Sequence, residues 1–301
     1  MPTLVRFAAI LAGLMLAMNA ALAQDKPRII AVNYPLQYFA ERLLGDAAQV
    51  VYPVPASVDP SFWRPSIADI STIQSADLIL LNGAGFATWT TKVSLPRSKL
   101  VDTSRGLEDR FIETASITHS HGDGGEHSHE GTASYTWLDP SLAVAQAQAI
   151  AEAIKARALA EPAAVDDRMA ELAEELSALD TASRGTLQNV TDTVFIATHP
   201  RYQYLARAYG LNILALEWDA GAMPDDEQLA ELEALTKESA ATVLIWEAEP
   251  PAAAMDAASS LGLENVVFPP MAVPPLSTSL PETFGSSVQA LAEAAKRAKR
   301  G

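Results

Sequence analysis

The strongest constraint on the fold is an alternation of short apolar runs with helical patterns, which occurs twice along the chain. Before residue 140 the apolar runs include 28–33 and 77–82, and after residue 190 they include 193–199 and 241–247. Short apolar runs that alternate with helical patterns are typical of βαβ units, which form largely parallel sheets. The sequence therefore predicts an α/β fold.

A long helical stretch separates the two alternating regions. Its main helix is expected to begin at Pro162 and to continue to about Arg184, where Gly185 ends it. At ~1.5 Å per residue such a helix is roughly 34 Å long, enough to cross a small domain. We therefore expect an N-terminal lobe over 24–140, a helical region over 141–189 with a long rigid helix between the lobes, and a C-terminal lobe over 190–301. An ordinary surface helix is the alternative for the long helix.

The first residues have the pattern of a signal peptide. Arg6 provides a short basic start, residues 8–22 are apolar, and Ala21-Leu22-Ala23 fits a small-residue cleavage site before Gln24. Cleavage there predicts an exported, periplasmic protein, and a retained N-terminal anchor is the alternative. Because the chain has no cysteine, disulfides, thiolate metal sites, a cysteine nucleophile and a cysteine-linked lipid are all excluded.

The chain is acidic, with a formal net charge of −16. Such a charge disfavours binding to nucleic acid or to anionic lipid, and it raises the local concentration of cations. We therefore expect no nucleic-acid partner, and we expect the protein to be a monomer.

Four of the five histidines lie within one stretch of eleven residues, at positions 119, 121, 127 and 129. Imidazole is the commonest side-chain ligand for zinc and similar metals, and Asp123, Glu126 and Glu130 add oxygen atoms. Three glycines in the stretch favour a flexible loop over a rigid cage. We therefore predict that His119, His121, His127 and His129 form a metal-collecting loop; a solvated polar loop is the alternative.

A second candidate site lies at the ends of two predicted strands. His199 and Glu247 each occupy the last position of an apolar run. In open α/β sheets, ligands bind beyond the carboxyl ends of the strands, so we expect both side chains at one edge. Asp59 and the histidine loop lie on connections of the first lobe, from which they can face His199 and Glu247. Glu247 is preferred to Glu249 because it ends the strand itself.

These residue types favour zinc as the bound ion. Zinc accepts mixed histidine and carboxylate ligands, whereas manganese requires more carboxylate. The sequence contains no His-Glu-x-x-His, Gly-x-Ser-x-Gly or phosphate-binding glycine motif, so we expect neither an enzyme nor a catalytic cofactor.

Several short motifs, in this order and at these spacings, resemble one known family, the cluster A-I periplasmic solute-binding proteins of zinc and manganese ABC importers. The motifs are Asp59-Pro60 with Phe62-Trp63, Asn82-Gly83, the histidine-rich stretch, Trp137-Leu-Asp-Pro140, Thr198-His-Pro200 and Trp246-Glu247. The resemblance implies two βα lobes joined by a long helix with a metal ion between them. It also implies that zinc or manganese is the transported ligand, of which the residue types favour zinc, and that a permease with its ATPase is the partner.

The chain departs from this family at three usual ligand positions. Ser61 and Tyr135 stand where members usually have histidines, and Pro269 follows Phe268 where members have an aspartate before proline. Of the four usual ligands His199 alone is present. Either the loop histidines rebuild a zinc site with His199 and Glu247, or the cleft binds an organic or chelated-metal ligand. Aromatic residues available for the second account are Trp63, Tyr135 and Trp137. A periplasmic metal chaperone or buffer is a further alternative.

Overall fold

The computed structural model describes residues 26–114, 117–121, 125–129 and 131–300, with the backbone alone for the two segments between 117 and 129. The predicted signal peptide, residues 1–23, lies outside the described residues. Within the part of the chain that is described, no helix has both the length and the apolar character needed to cross a membrane.

The first lobe is a four-stranded parallel sheet with helices packed on it. Its elements are β1 (Arg28–Ala31), α1 (Tyr34–Leu44), β2 (Gln49–Val51), α2 (Ile67–Ser75), β3 (Leu78–Leu81) and β4 (Leu100–Asp102). The strands lie in the order β2-β1-β3-β4. Short 3-10 turns span Gly45–Ala47, Thr88–Thr91, Arg97–Lys99, Glu108–Arg110 and Thr136–Leu138.

The histidine-rich stretch forms an antiparallel β-hairpin, which corrects the prediction of a loop. Its strands are β5 (Ile117–His121) and β6 (Gly125–His129). Gly125 begins β6. The glycines indicated flexibility, but the alternation of histidine with serine in each strand has the period-2 pattern of a β-strand.

Two helices follow the hairpin, α3 (Pro140–Ala156) and α4 (Pro162–Leu187). The second lobe then forms another parallel sheet. Its elements are β7 (Val194–Ala197), α5 (Gln203–Tyr209), β8 (Asn212–Ala215), α6 (Asp226–Ser239), β9 (Val243–Trp246), α7 (Ala252–Ser260), β10 (Glu264–Val267) and α8 (Leu280–Ala298). The strands lie in the order β10-β9-β7-β8. The predicted α/β fold with two parallel-sheet lobes is confirmed.

Helix α4 contacts both lobes. In its first half, Arg168 Nη1 donates to the carbonyl oxygens of Leu43 and Leu44 at the end of α1, at 3.3 and 3.2 Å. In its second half, Thr186 Oγ1 accepts a hydrogen bond from Gln289 of α8 at 3.0 Å. The helix continues through Gly185, so the prediction that this glycine ends it is wrong. A glycine inside a helix costs about 1 kcal/mol relative to alanine, and burial of Leu187 offsets that cost.

Helix α1 begins at Tyr34, three residues after Ala31, the last residue of β1. The side chain of Asn33 accepts a hydrogen bond from the backbone N–H of Leu36 at 3.1 Å, and Pro35 lies in the first turn. An asparagine cap and a proline in the first turn both favour a helix start. The helix therefore begins directly after β1, at the carboxyl edge of the first sheet.

Candidate functional site

The carboxyl edge of the second sheet brings three polar side chains into line. Ala197 of β7 pairs with Ala215 of β8 and with Ile245 of β9. His199, Glu217 and Glu247 each lie two residues beyond these paired positions. The strand pattern correctly places His199 and Glu247 at one edge. It leaves out Glu217, although Glu217 also follows a predicted strand.

His199 is held in one orientation by the backbone. The ring is buried, and its Nδ1 lies 2.9 Å from the carbonyl oxygen of Trp218. A carbonyl oxygen can only accept, so Nδ1 carries the proton of this hydrogen bond and a neutral ring has its lone pair on Nε2. Nε2 lies 3.9 Å from Glu217 Oε2. A carboxylate that the sequence did not single out, that of Glu217, thus lies near Nε2, and a metal site made by His199 with Glu247 stays a prediction. Burial raises the pKa of Glu217 to about 7, although Arg201 opposes the shift.

Glu247 and Asp59 are both bound to an arginine that the sequence did not single out. Arg201 Nη2 lies 2.6 Å from Asp59 Oδ2, and Arg201 Nε lies 3.5 Å from Glu247 Oε1. The arginine side chain is 5% exposed, whereas those of Asp59 and Glu247 are 29% and 11% exposed. Asp59 comes from the connection between β2 and α2, and Glu247 follows β9. The guanidinium group therefore connects the two lobes.

Neighbouring groups hold this arginine and its carboxylates in place. Ser61 donates to Asp59 Oδ1 from its hydroxyl at 2.6 Å and from its backbone N–H at 2.8 Å. The Arg201 guanidinium carbon lies 4.6 Å from the ring centroid of Tyr135 and 5.5 Å from that of Phe62. Both distances are within the range of cation–π interactions. At two of the substituted family positions, Ser61 thus holds the aspartate that binds the arginine, and Tyr135 lies against the guanidinium group.

The ionisation of the cluster follows from burial and from these contacts. Burial by itself lowers the pKa of Arg201, but Tyr135, Asp59 and Glu247 outweigh it and raise the pKa. Burial raises the pKa of Glu247, Asp59 adds to the increase, and Arg201 opposes it. Burial also raises the pKa of the Tyr135 hydroxyl. Arg201 is therefore a permanent cation and Tyr135 stays neutral.

The three aromatic residues considered as a ligand-binding surface have different positions. Trp63 is buried against Trp89, with 5.5 Å between the ring centroids. Trp137 is also buried, and its Nε1 donates to the carbonyl oxygen of Pro270 at 2.8 Å, so it joins the lobes. Tyr135 lines the cleft between the lobes. Trp63 and Trp137 therefore act as packing residues.

The cleft has a volume of about 630 Å³ and a mainly apolar wall. Asp59, Tyr135 and Glu247 lie along one part of it, and the remaining wall includes Pro270 and Met271. Pockets for organic ligands usually have volumes of about 300–1,000 Å³. The cleft is thus much larger than a single metal ion requires.

Among the residues whose side chains the structure describes, no group of three or more His, Asp or Glu side chains converges on one point. Asp59, His199 and Glu247 do not form a ligand set by themselves, because Arg201 binds both carboxylates. The predicted role of the loop histidines concerns side chains outside the described part. That role, and a metal site made by them with His199 and Glu247, stay predictions.

The backbone of the hairpin adds one relation among the histidines. His119 pairs directly with His127, His121 with Gly125, and Ile117 with His129. Residues that pair directly, and residues two apart on one strand, lie on the same face of a hairpin. All four histidines therefore occupy one face, and Thr118, Ser120, Glu126 and Ser128 occupy the other.

Comparison with known proteins agrees with this architecture. Zinc-binding lipoprotein AdcA of Streptococcus pneumoniae is 28% identical over 239 residues, which are 76% of this chain and 46% of that relative. High-affinity zinc uptake system protein ZnuA of Bacillus subtilis is 28% identical over 242 residues, covering 74% of this chain and 71% of that protein. The chain thus spans about half the length of its AdcA relatives. The crystal structure of Zn(II)-bound AdcA from Streptococcus pneumoniae superposes with a TM-score of 0.76 at 21% identity, over 90% of this chain and 58% of that one.

One family model covers nearly all of the described chain. It is the family described as zinc-uptake complex component A periplasmic, and it matches residues 29–297. The match includes both sheets, the connecting helices and the hairpin. This chain therefore belongs to the zinc-uptake complex component A periplasmic family.

Proposed function

We propose that the protein is an exported solute-binding protein that captures a divalent transition metal ion, with zinc as the cargo, for an ABC importer. The family match over residues 29–297 is the observation that carries this proposal. The relatives AdcA and ZnuA are named for zinc binding and zinc uptake. A permease with its ATPase is the proposed partner, and the predicted lobes 24–140 and 190–301 provide the surfaces that it contacts.

The histidine hairpin is the proposed metal-binding element. Directly opposed residues of an antiparallel pair have Cβ atoms about 4.5–5.5 Å apart, so His119 and His127 can reach one ion together. Zinc binds imidazole nitrogen at about 2.0–2.1 Å and needs four ligands in a closed site. His121 and His129 lie on the same face and bring the number of available imidazoles to four.

The two faces of the hairpin provide a matched test. Changing His119, His121, His127 and His129 to serine should lower the number of zinc ions bound per chain by at least one. Changing Thr118, Ser120 and Ser128 to alanine alters the opposite face, keeps the carboxylate of Glu126, and should leave that number unchanged. Calorimetric titration with zinc chloride, together with metal analysis of the purified protein, measures both. Equal zinc binding by the two variants would show that the hairpin is not the metal-binding element.

Export and delivery need separate tests. Cleavage after Ala23 predicts a mature chain that begins at Gln24 and is recovered from the periplasm, and intact-mass analysis checks this. Delivery predicts that deletion of the gene slows growth under zinc limitation only while the importer is present. A metal buffer would instead protect cells that lack the importer, which separates transport from the chaperone alternative.

The cleft supports a second candidate cargo, a chelated metal ion or another organic ligand. The volume of about 630 Å³ and the apolar wall carry this alternative, because a bare ion fills little of such a space. Thermal unfolding in the presence of zinc alone, histidine alone and the zinc–histidine complex tests it. A shift caused by the complex alone would favour chelated cargo, and a shift caused equally by free zinc would contradict it.

A further inference from the structure

Two carboxylates that line the interlobe cleft are paired with a positive charge that belongs to the protein itself. Arg201 reaches both Asp59 of the first lobe and Glu247 of the second, and its side chain is almost completely buried. The ring of Tyr135 covers the guanidinium group at 4.6 Å. The two carboxylates that line the cleft at this point are thus already bound to a cation.

We propose that Arg201 determines the specificity of the cleft by acting as a tethered cation that excludes free divalent metal ions. A metal ion that approached Asp59 and Glu247 would have to displace a guanidinium group that binds both. If the arginine stayed, the ion would lie beside a buried positive charge, and the low dielectric of the interior strengthens that repulsion. His199 and Glu217 alone provide two ligands at this edge, fewer than a closed zinc site needs.

The arginine cannot give up its charge to make room. A guanidinium group stays protonated at any pH at which the protein is folded, unlike a lysine or histidine in the same position. Removing one partner from a buried ion pair leaves an uncompensated charge, which strongly disfavours a state with the arginine displaced. The exclusion of free metal ions is therefore a fixed property of the cleft.

The inference predicts that loss of an arginine creates a zinc site. The test uses a parent protein in which the four hairpin histidines are serine, so that zinc binding by the hairpin does not contribute. Arg201→Met in this parent removes the charge and keeps most of the side-chain length. It removes the cation that Asp59 and Glu247 share, and added zinc should replace the missing charge.

Two control variants separate charge from general damage. Arg201→Lys keeps a cation in the cleft, so it should bind no more zinc than the parent. Arg207→Met removes another arginine that has a carboxylate, Asp139, at 3.5 Å and a tyrosine ring, that of Tyr204, at 5.0 Å. Arg207 lies outside the cleft, and its loss should not create a zinc site.

Thermal unfolding with excess zinc chloride and with a chelator provides the readout, and calorimetry gives the affinity. We expect no zinc-dependent change for the parent, Arg201→Lys or Arg207→Met. For Arg201→Met we expect a rise in melting temperature of at least about 2 °C, the shift that ~1 kcal/mol of stabilisation gives a chain of this size. The further change Glu247→Gln should remove most of this rise.

Two results would overturn the inference. One is tight zinc binding by the parent itself, which can be measured even if Arg201→Met does not fold. The other is a folded Arg201→Met variant with no zinc-dependent stabilisation. Because the hairpin histidines are absent throughout, neither result depends on whether the hairpin binds zinc in the natural protein.

Discussion

The hairpin and the interlobe cleft differ in where their cation comes from. The strand register of the hairpin places four histidine positions on one face of a two-stranded element. The cleft places two carboxylates from different lobes around Arg201. The hairpin has no such ion pair built into its strand register, whereas the carboxylates in the cleft are bound to an internal cation. Membership of a metal-uptake family therefore does not fix which of the two regions holds the metal.

The two regions also differ in what they contribute to the fold. Arg201, Ser61 and Tyr135 are buried, and they belong to contacts that hold the lobes together. The two strands of the hairpin pair with each other, and the segments before and after them are joined by a bridge between Glu113 and Thr132. We therefore expect substitutions in the cleft to change stability more than substitutions in the hairpin.

The largest expected effect is that of Arg201→Met in the otherwise natural chain. Breaking a buried ion pair by removing one partner costs about 3–5 kcal/mol, because the remaining charge is left without compensation. Urea unfolding at an unchanged m-value measures the loss. Arg297→Met is the control: Arg297 pairs with Glu264 at 2.9 Å with its side chain 52% exposed, so its loss should cost about 0–1 kcal/mol. Equal losses for the two variants would contradict the structural role of Arg201.

Trp137→Phe should have the next largest effect. It removes the hydrogen bond to the carbonyl oxygen of Pro270 and leaves a buried polar group unsatisfied, at a cost of about 1–3 kcal/mol. Trp246→Phe removes a similar bond, from Nε1 to Asn265 Oδ1 at 2.7 Å, within the second lobe. Residues 56–62 belong to the first lobe and include Asp59, which lines the cleft. Their backbone hydrogen exchange should become faster in Trp137→Phe, which loosens the contact between the lobes, and stay unchanged in Trp246→Phe. Faster exchange in both would mean that Trp137 has no special role between the lobes.

Ser61→Ala should have a smaller effect on the same cluster. The serine hydroxyl orients Asp59 toward Arg201, but the backbone N–H of residue 61 still donates to the same oxygen after the substitution. We expect a loss of about 0.5–1.5 kcal/mol in the free energy of unfolding, measured with urea. Ser57→Ala, at an exposed position of the same connection, should be neutral. A neutral Ser61→Ala would indicate that Arg201 alone positions the aspartate.

Most of the fold could be predicted from the sequence because its signals are local. The buried strands of both sheets are short apolar runs. A capping box, formed by Ser66 and by Asp69 three residues later, marks the start of α2. The prediction that His199 and Glu247 lie at one edge of a sheet follows from one rule, that ligands bind beyond the carboxyl ends of parallel strands. The same rule applies to Glu217, which could have been found by treating every strand end alike.

Arg201 could not be predicted, because its environment is made by residues far away in the chain. Asp59 lies 142 residues before it and Tyr135 lies in the other lobe, so no local pattern indicates a buried guanidinium. Arginine is rarely buried without a partner, and sequence alone does not identify partners. The two histidine strands were not predicted for another reason. Three glycines indicated a loop, although serine and histidine alternate with the period of a strand.

The smallest expected effect on stability is that of the four-serine hairpin variant, and it completes the comparison. Changing His119, His121, His127 and His129 to serine alters an element whose two strands pair with each other and with neither parallel sheet. Because neither parallel sheet loses a strand pairing, we expect the urea midpoint without metal to be nearly unchanged. With zinc chloride present, the natural chain should gain stability and the variant should not, because an ion that binds only the folded state stabilises it. A large loss of stability without metal would mean that the hairpin is part of the folded core, and the separation drawn between hairpin and cleft would then be wrong.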